Sequence, residues 1–150
     1  MAKTYTQNLG TRLANWIFRT MTRRGLGASY RQILTVPGRN TGRLYSTPVD
    51  VMDVGGARWL VAAYGPVNWV RNARAAGEVT LSRGGQTAKY RIAEASPAEA
   101  VPVLRKYLTE VRVVRPYFDA APDAPDEALE TEVPRHPVFQ LIPQARPAAR

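Results

Sequence analysis

Residues 44–64 read LYSTPVDVMDVGGARWLVAAY, and this stretch decides the fold. Val49, Val51 and Val54, with Asp50 and Asp53 between them, follow the period-two pattern of a half-buried strand. Gly55-Gly56 is a two-residue hairpin signal, because both central residues of the favoured turn need positive φ. Residues 57–64 (ARWLVAAY) then form the returning strand. Pro48 has no N–H to give a ladder, so it marks a free edge, a bulge or a strand start.

On the N-terminal side, residues 30–36 (YRQILTV) are rich in β-branched and aromatic residues and read as a strand. The turn Pro37-Gly38-Arg39-Asn40-Thr41-Gly42-Arg43 joins it to the hairpin. Residues 8–24 (NLGTRLANWIFRTMTRR) carry Leu9, Leu13, Trp16, Ile17 and Met21 on one helical stripe. That helix has two readings, a helix packed on the core or one lying on a membrane surface.

On the C-terminal side, Gly65-Pro66 breaks the strand and residues 67–75 (VNWVRNARA) form a short helix ended by Gly77. Asn68 is its candidate cap. Residues 78–83 and 86–95 make a second hairpin around Gly84-Gly85. Ser96-Pro97-Ala98-Glu99 is a capping box with Pro at the first helical position. It opens a helix carrying Val101, Val103, Leu104, Tyr107, Leu108 and Val111. Pro102 predicts an irregular first turn or a later start. Residues 116–135, rich in Pro, Asp and Glu, read as a loop with room for one helical turn, and their acidic run as solvated. Residues 136–142 (HPVFQLI) read as a last strand, and the tail from 143 as loose.

About six strands follow one another mostly through hairpins, without βαβ alternation. The expected architecture is mainly β with peripheral helices (α+β), a small antiparallel barrel in a single domain over 1–150.

The chain has 150 residues and a formal net charge of +9. It has no Cys, which excludes disulfides, thiol catalysis and thiolate metal sites. His136 is the only histidine, so neither a multi-histidine metal site nor a Ser-His-Asp triad is expected, and no metal. Residues 1–50 hold eight Lys/Arg and one acid, 51–116 hold ten and five, and 117–150 hold three and six. The positive surplus therefore precedes residue 117 and favours an anionic partner. No RRM-type, helix-turn-helix or zinc motif supports a nucleic-acid partner. No apolar run is long enough to span a bilayer, and no signal-peptide pattern opens the chain. The expected location is the cytoplasm, with membrane contact only through residues 8–24.

Two stretches could carry chemistry. In 37–43, glycines expose backbone amides, Arg39 and Arg43 add fixed charge, and Asn40 and Thr41 add hydrogen-bonding groups; such a loop can wrap a phosphate or carboxylate, or be an ordinary turn. In 62–72, small residues leave room for a ring against the backbone, and the helix start can hold an anion. Tyr64 and Trp69 could equally be core residues.

Taken together, ILTVPGRNTGRLYSTPV (33–49), GGARWLVAAYGPVNWVRNARAAGEVTL (55–81) and PRHPVF (134–139) resemble the deazaflavin-dependent nitroreductase family of actinobacteria. This is the A branch of the flavin/deazaflavin split-barrel oxidoreductases. The resemblance covers roughly residues 10–140. It implies a split β-barrel, similar to FMN-binding proteins, that holds 8-hydroxy-5-deazaflavin (coenzyme F-420) in a groove. It places the cofactor's phosphate and acidic tail on Arg39, Asn40 and Thr41. It runs Tyr45, Ser46, Thr47, Pro48, Val49 and Asp50 beside the cofactor, with Ala62, Ala63, Tyr64 and Gly65 bordering the ring and tail. Asn68, Trp69, Val70, Arg71 and Asn72 form the other contacting segment. Asn40 stands where the family often has Lys, and Arg43 or Arg71 would replace that charge. Tyr64 and Tyr117 are the candidate proton donors.

The implied function is hydride transfer from reduced coenzyme F-420 to a small activated acceptor: a quinone, an enone or a nitro compound. Two alternatives stay open, a non-enzymatic deazaflavin carrier and an FMN-binding split barrel. Split barrels often pair, so a homodimer is an expected assembly. The basic surplus fits an anionic cofactor tail, and the absence of Cys fits an organic ring that itself carries the hydride.

Overall fold

The computed structural model describes Ala2 and residues 29–144. The helix expected over 8–24 and most of the expected tail lie outside the described residues.

Six strands form a closed barrel: β1 (Arg31–Pro37), β2 (Leu44–Val54), β3 (Ala57–Val61), β4 (Glu78–Arg83), β5 (Gln86–Glu94) and β6 (Val138–Pro143). Their order is β1-β2-β3-β6-β5-β4, and β4 pairs back onto β1. All pairs are antiparallel. The helices are α1 (Asn68–Ala76), α2 (Pro97–Glu110) and α3 (Asp126–Glu132), with a 3-10 helix at Arg112–Tyr117 between α2 and α3. Among the described residues, no helix is long and apolar enough to cross a membrane.

Both hairpin signals act as read. Gly55, Gly56, Gly84 and Gly85 all take positive φ, which matches the right-handed twist of the strands they join. The barrel is filled by Leu34, Val36, Val49, Val51, Leu60, Val79, Leu81, Phe139 and Leu141, with α1 adding Val70 and Ala73. A second core lies between the barrel and α2, around Met52, Val61, Leu104, Tyr107, Leu108 and Leu129.

β2 is shared unequally. All seven residues of β1 pair with Leu44–Asp50, while β3 pairs only with Asp50–Val54. Residues 44–49 therefore have one strand partner and an open edge. Pro48 lies in this half. The Val51 amide donates to the Tyr30 carbonyl, on the β1 side, at 2.8 Å. Backbone groups alternate sides along a strand, so the nitrogen of Pro48 faces away from β1, where no ladder bond is asked of it.

Three expectations need correction. The strand expected over 57–64 ends at Val61; Gly65 has φ 89 and its amide bonds back to the Ala62 carbonyl at 3.2 Å, so the chain turns there. Pro102 does not delay α2, which runs unbroken from Pro97. The complete capping box, with Ser96 and Glu99 exchanging bonds of 3.2 and 2.9 Å, and the buried face of Ala100, Val103, Leu104 and Tyr107 outweigh one lost backbone bond. The acidic stretch is not simply a solvated loop. It contains α3, and Glu132 is 1% exposed.

Candidate active site

The loop 37–43 is closed by its own backbone. The Gly38 amide donates to the Arg43 carbonyl at 2.7 Å, and the Gly42 amide to the Gly38 carbonyl at 2.9 Å. Gly42 takes φ 75, and Gly38 is crowded: a Cβ there would lie 2.8 Å from the Tyr45 ring. Thr41 Oγ1 accepts from the Arg43 amide at 3.2 Å. The loop's side chains are thus turned outward by a compact backbone, and Arg39, Asn40, Thr41 and Arg43 are exposed.

Asn72 ties this loop to α1. Its buried Oδ1 accepts from the Arg39 amide at 3.1 Å and from Arg39 Nη1 at 2.8 Å. That bond uses one of five guanidinium donors and leaves the rest of the fork available. Arg71, one residue before Asn72, is exposed. The start of α1 carries no side-chain cap: Val67 is the N-cap, and Asn68 is the first helical residue rather than the cap expected of it. At the other end, Gly77 closes the helix in the left-handed conformation, as read.

The open edge of β2 runs beside this loop. Leu44 is 67% and Tyr45 49% exposed. The Arg43 guanidinium lies 5.9 Å over the Tyr45 ring. Ser46 Oγ and Thr35 Oγ1 share a bond of 2.8 Å that fixes the edge half of β2 to β1. Val49 and Val70 point into the barrel core, and Ala62 and Ala63 are buried. Trp69 is half-buried, its ring 6.3 Å from Phe139.

Tyr64 and Tyr117, distant in sequence, meet edge-to-face with ring centroids 4.9 Å apart. Tyr64 is exposed and Tyr117 partly buried. Behind them, Tyr107 donates its hydroxyl to Asp50 Oδ2 at 2.7 Å, and Arg31 Nε stands 3.6 Å from Oδ1. Burial raises the Asp50 carboxyl above its ordinary aspartate value, against the pull of Tyr107 and Arg31. The Tyr107 hydroxyl is pushed well above an ordinary tyrosine by burial and by Asp50, so it acts as a donor. In its helix Tyr107 reads as an apolar position; the signal that it pairs with another group is that a buried tyrosine hydroxyl needs a partner.

The wall at 62–65 is braced from behind. The Ala62 amide donates to the Pro137 carbonyl at 2.9 Å, and a Cβ on Gly65 would come within 3.2 Å of the Arg135 carbonyl. His136 stacks on Phe118 at 3.7 Å, and its Nε2 lies 3.5 Å from Glu132 Oε2. Its Nδ1 is buried without a hydrogen-bond partner. Glu132 also accepts from the amides of Asp119 and Ala120, at 2.7 and 2.8 Å, and pairs with Arg135 at 3.0 Å. Among the described residues, no group of acids and histidines is arranged to hold a metal.

A closed antiparallel barrel, one of its strands half unpaired and flanked by a basic loop, defines a split barrel of the kind shared by flavin- and deazaflavin-binding proteins. Residues 11–121 match the family described as F420H(2)-dependent quinone reductase, and the chain belongs to that family. It is an F-420-dependent oxidoreductase, and coenzyme F-420 is its cofactor. No curated protein matches the sequence. Solved structures repeat the fold at low identity. An Agrobacterium tumefaciens protein of unknown function, Atu2129, is 14% identical with a TM-score of 0.57; the match covers 96% of this chain and spans 60% of that protein's length. An F420-H2-dependent reductase (FDR-A) is 16% identical with a TM-score of 0.50, covering 75% of this chain and 93% of that one. A FAD-binding protein from Mesorhizobium loti is 12% identical with a TM-score of 0.50, covering 86% and 89%.

Proposed function

We propose that the protein reduces a small activated acceptor, a quinone, an enone or a nitro compound, with reduced coenzyme F-420 held along the open edge of β2. When bound, the coenzyme supplies the hydride. The chain's own residues bind, orient and screen. Arg39, Asn40, Thr41 and Arg43, with Arg71, hold the phosphate and acidic tail through charge-assisted bonds. Tyr45–Asp50 form one wall, and Ala62–Gly65 with Asn68–Asn72 form the other. Tyr64 and Tyr117 border the acceptor.

The observation that carries this reading is the bond pair from Arg39 to Asn72. It fixes a basic loop at the start of the unpaired edge while the guanidinium stays exposed. The fit is chemical as well as positional: outward arginines, a glycine-shaped loop and an uncapped helix start suit an anionic, phosphate-bearing ligand. The small residues of the second wall suit a planar ring.

The test is a fluorescence titration with oxidised coenzyme F-420, with FMN alongside. Low-micromolar affinity for the deazaflavin and none for FMN is expected. Reduced coenzyme is then mixed with menadione, an enone and a nitroaromatic, and its reoxidation is followed. Tight binding without turnover on any acceptor would make the protein a carrier and sink the reductase reading. Preference for FMN would overturn the assignment of the groove.

A further inference from the structure

Asp50 stands where β2 passes from its β1 partner to its β3 partner, and it is the one residue of β2 paired with both. It pairs with Arg31 of β1 and is the first β2 residue opposite β3, facing Val61. The open edge lies on its N-terminal side, and the turn at 62–65 follows its β3 partner. The two walls assigned above to the coenzyme therefore meet at this residue. Its side chain is 12% exposed, so it is enclosed without being sealed.

The groups that face Asp50 come from two elements. Arg31 of β1 stands near Oδ1, and Tyr107 of α2, fully buried, donates to Oδ2. The Tyr107 hydroxyl in turn feels Tyr30 and Tyr64. Lys106, the neighbouring cation on α2, is occupied by the Asp53 carbonyl, and Arg58 of β3 pairs with Asp53. Tyr107 belongs to the apolar core cluster that holds Met52, Val61, Ala63, Leu104 and Leu108, and its ring meets Phe118 edge-on. Such a packing site is served as well or better by an apolar pair than by a buried acid and phenol, so stability alone does not account for this pair.

We propose that Asp50 is the proton carrier of the reduction and that Tyr107 is the residue that positions it, a reading that rests on the cofactor placement proposed above. As the acceptor gains a hydride, the O–H bond of the protonated Asp50 carboxyl breaks. The proton goes to the acceptor's oxygen and the electron pair stays on the carboxylate. Tyr107 and Arg31 stabilise that carboxylate until a proton from water restores the acid. The acceptor gains one hydride and one proton, and Asp50 ends unchanged. Tyr64 and Tyr117 then shape the acceptor site rather than supply the proton.

The test begins on the protein without coenzyme. Carbon NMR of protein labelled at the aspartate carboxyls gives each titration midpoint, and Asp50→Asn assigns the Asp50 signal. Tyr107→Phe removes a bond made to the charged form, so the Asp50 midpoint rises by about one pH unit. The pH profile of kcat, with reduced coenzyme F-420 and menadione, should have a basic limb that moves the same way by the same amount in Tyr107→Phe. Asp50→Asn should lower kcat by 100-fold or more and remove that limb. An NMR midpoint that moves while the kcat profile stays fixed overturns the proposal and leaves the pair structural. So does an Asp50→Asn enzyme with kcat within threefold of the wild type. Should Asp50→Asn fail to fold, Asp50→Glu assigns the signal by removing it from the aspartate set, and the Tyr107→Phe midpoint and kcat profile still decide. Failure of the wild type to bind coenzyme F-420 is a separate result; it removes the placement and this proposal with it.

Discussion

Residues 50–54 of β2 pair with β3, whereas residues 44–49 pair with β1 alone and leave their other edge open. Both halves contain valine, yet their surroundings use polar groups in opposite ways. Around the sealed half, buried polar atoms are spent on the chain itself: Glu132 takes the amides of Asp119 and Ala120, and the Pro137 carbonyl takes that of Ala62. Around the open half, Asn72 binds Arg39, but the loop's arginines keep their charge at the surface. One flank of the strand holds the barrel together, and the other leaves donors for a ligand.

The largest expected effect breaks the sealed flank. Glu132→Ala orphans two backbone amides and leaves Arg135 and His136 without their buried acid. Stability should fall by about 3–5 kcal/mol, read from denaturant midpoints. A loss under about 1 kcal/mol would show that this flank is not held by its buried polar groups.

The open flank should respond in binding instead. Arg39→Ala should weaken coenzyme F-420 affinity by about 1.5–3 kcal/mol, roughly 10- to 150-fold, read by the same fluorescence titration. Its melting temperature should change little, because Asn72 keeps the Arg39 backbone amide as donor. Unchanged affinity would move the tail site off this loop. Trp69 bridges the flanks, since it belongs to the contacting segment yet packs on the barrel core. Trp69→Ala should therefore lower both stability and affinity; normal melting with lost binding would make it a ligand contact alone.

Acid should act on the sealed flank first. Burial lowers the pKa of His136 below its usual 6.5, although Glu132 and the nearby carbonyls favour the charged ring. The unfolded chain therefore binds the proton more readily. Stability should decline as pH falls from about 6.5 toward the lowered native value. Asp50 works the other way, because its native carboxyl holds its proton more tightly than an unfolded aspartate; its contribution is largest in acid and fades as pH rises from the ordinary aspartate value through the raised native one. Urea midpoints for wild type and His136→Asn should diverge as pH falls from about 6.5, and parallel midpoints would remove His136 as the cause.

How much of this was legible depended on distance along the chain. Gly55-Gly56 and Gly84-Gly85 announce their hairpins because turn geometry is local. The capping box is equally local, and only the cost assigned to Pro102 was set too high. Barrel closure depends on β1 meeting β4 and β3 meeting β6, pairings that no run of residues encodes. The site divides in the same way. The loop 37–43 is visible as glycines and arginines and the resemblance places Asn72 in the second contacting segment, but the bond between Asn72 and Arg39, 33 residues apart, is encoded in neither stretch. Asp50 and Tyr107 are 57 residues apart; the resemblance places Asp50 beside the cofactor, but nothing in the sequence joins it to Tyr107. Glu132 hid in an acidic run whose other members are more exposed.

The smallest expected effect is the sharpest test of where the two halves divide. Proline inside a strand normally costs a ladder bond, so replacing it should return one. At Pro48 the nitrogen faces away from β1, and β3 pairs no further along β2 than Asp50. Pro48→Ala therefore gains an N–H that points into the open edge and finds no strand there. It also frees the unfolded chain, which lowers stability by up to about 1 kcal/mol. Urea midpoints should show that slight loss. A gain would mean that the new amide has found a partner and that the edge closes when the proline no longer keeps it open. Proline would then hold the groove apart, and the boundary between the two halves of β2 would belong to one residue rather than to the end of β3.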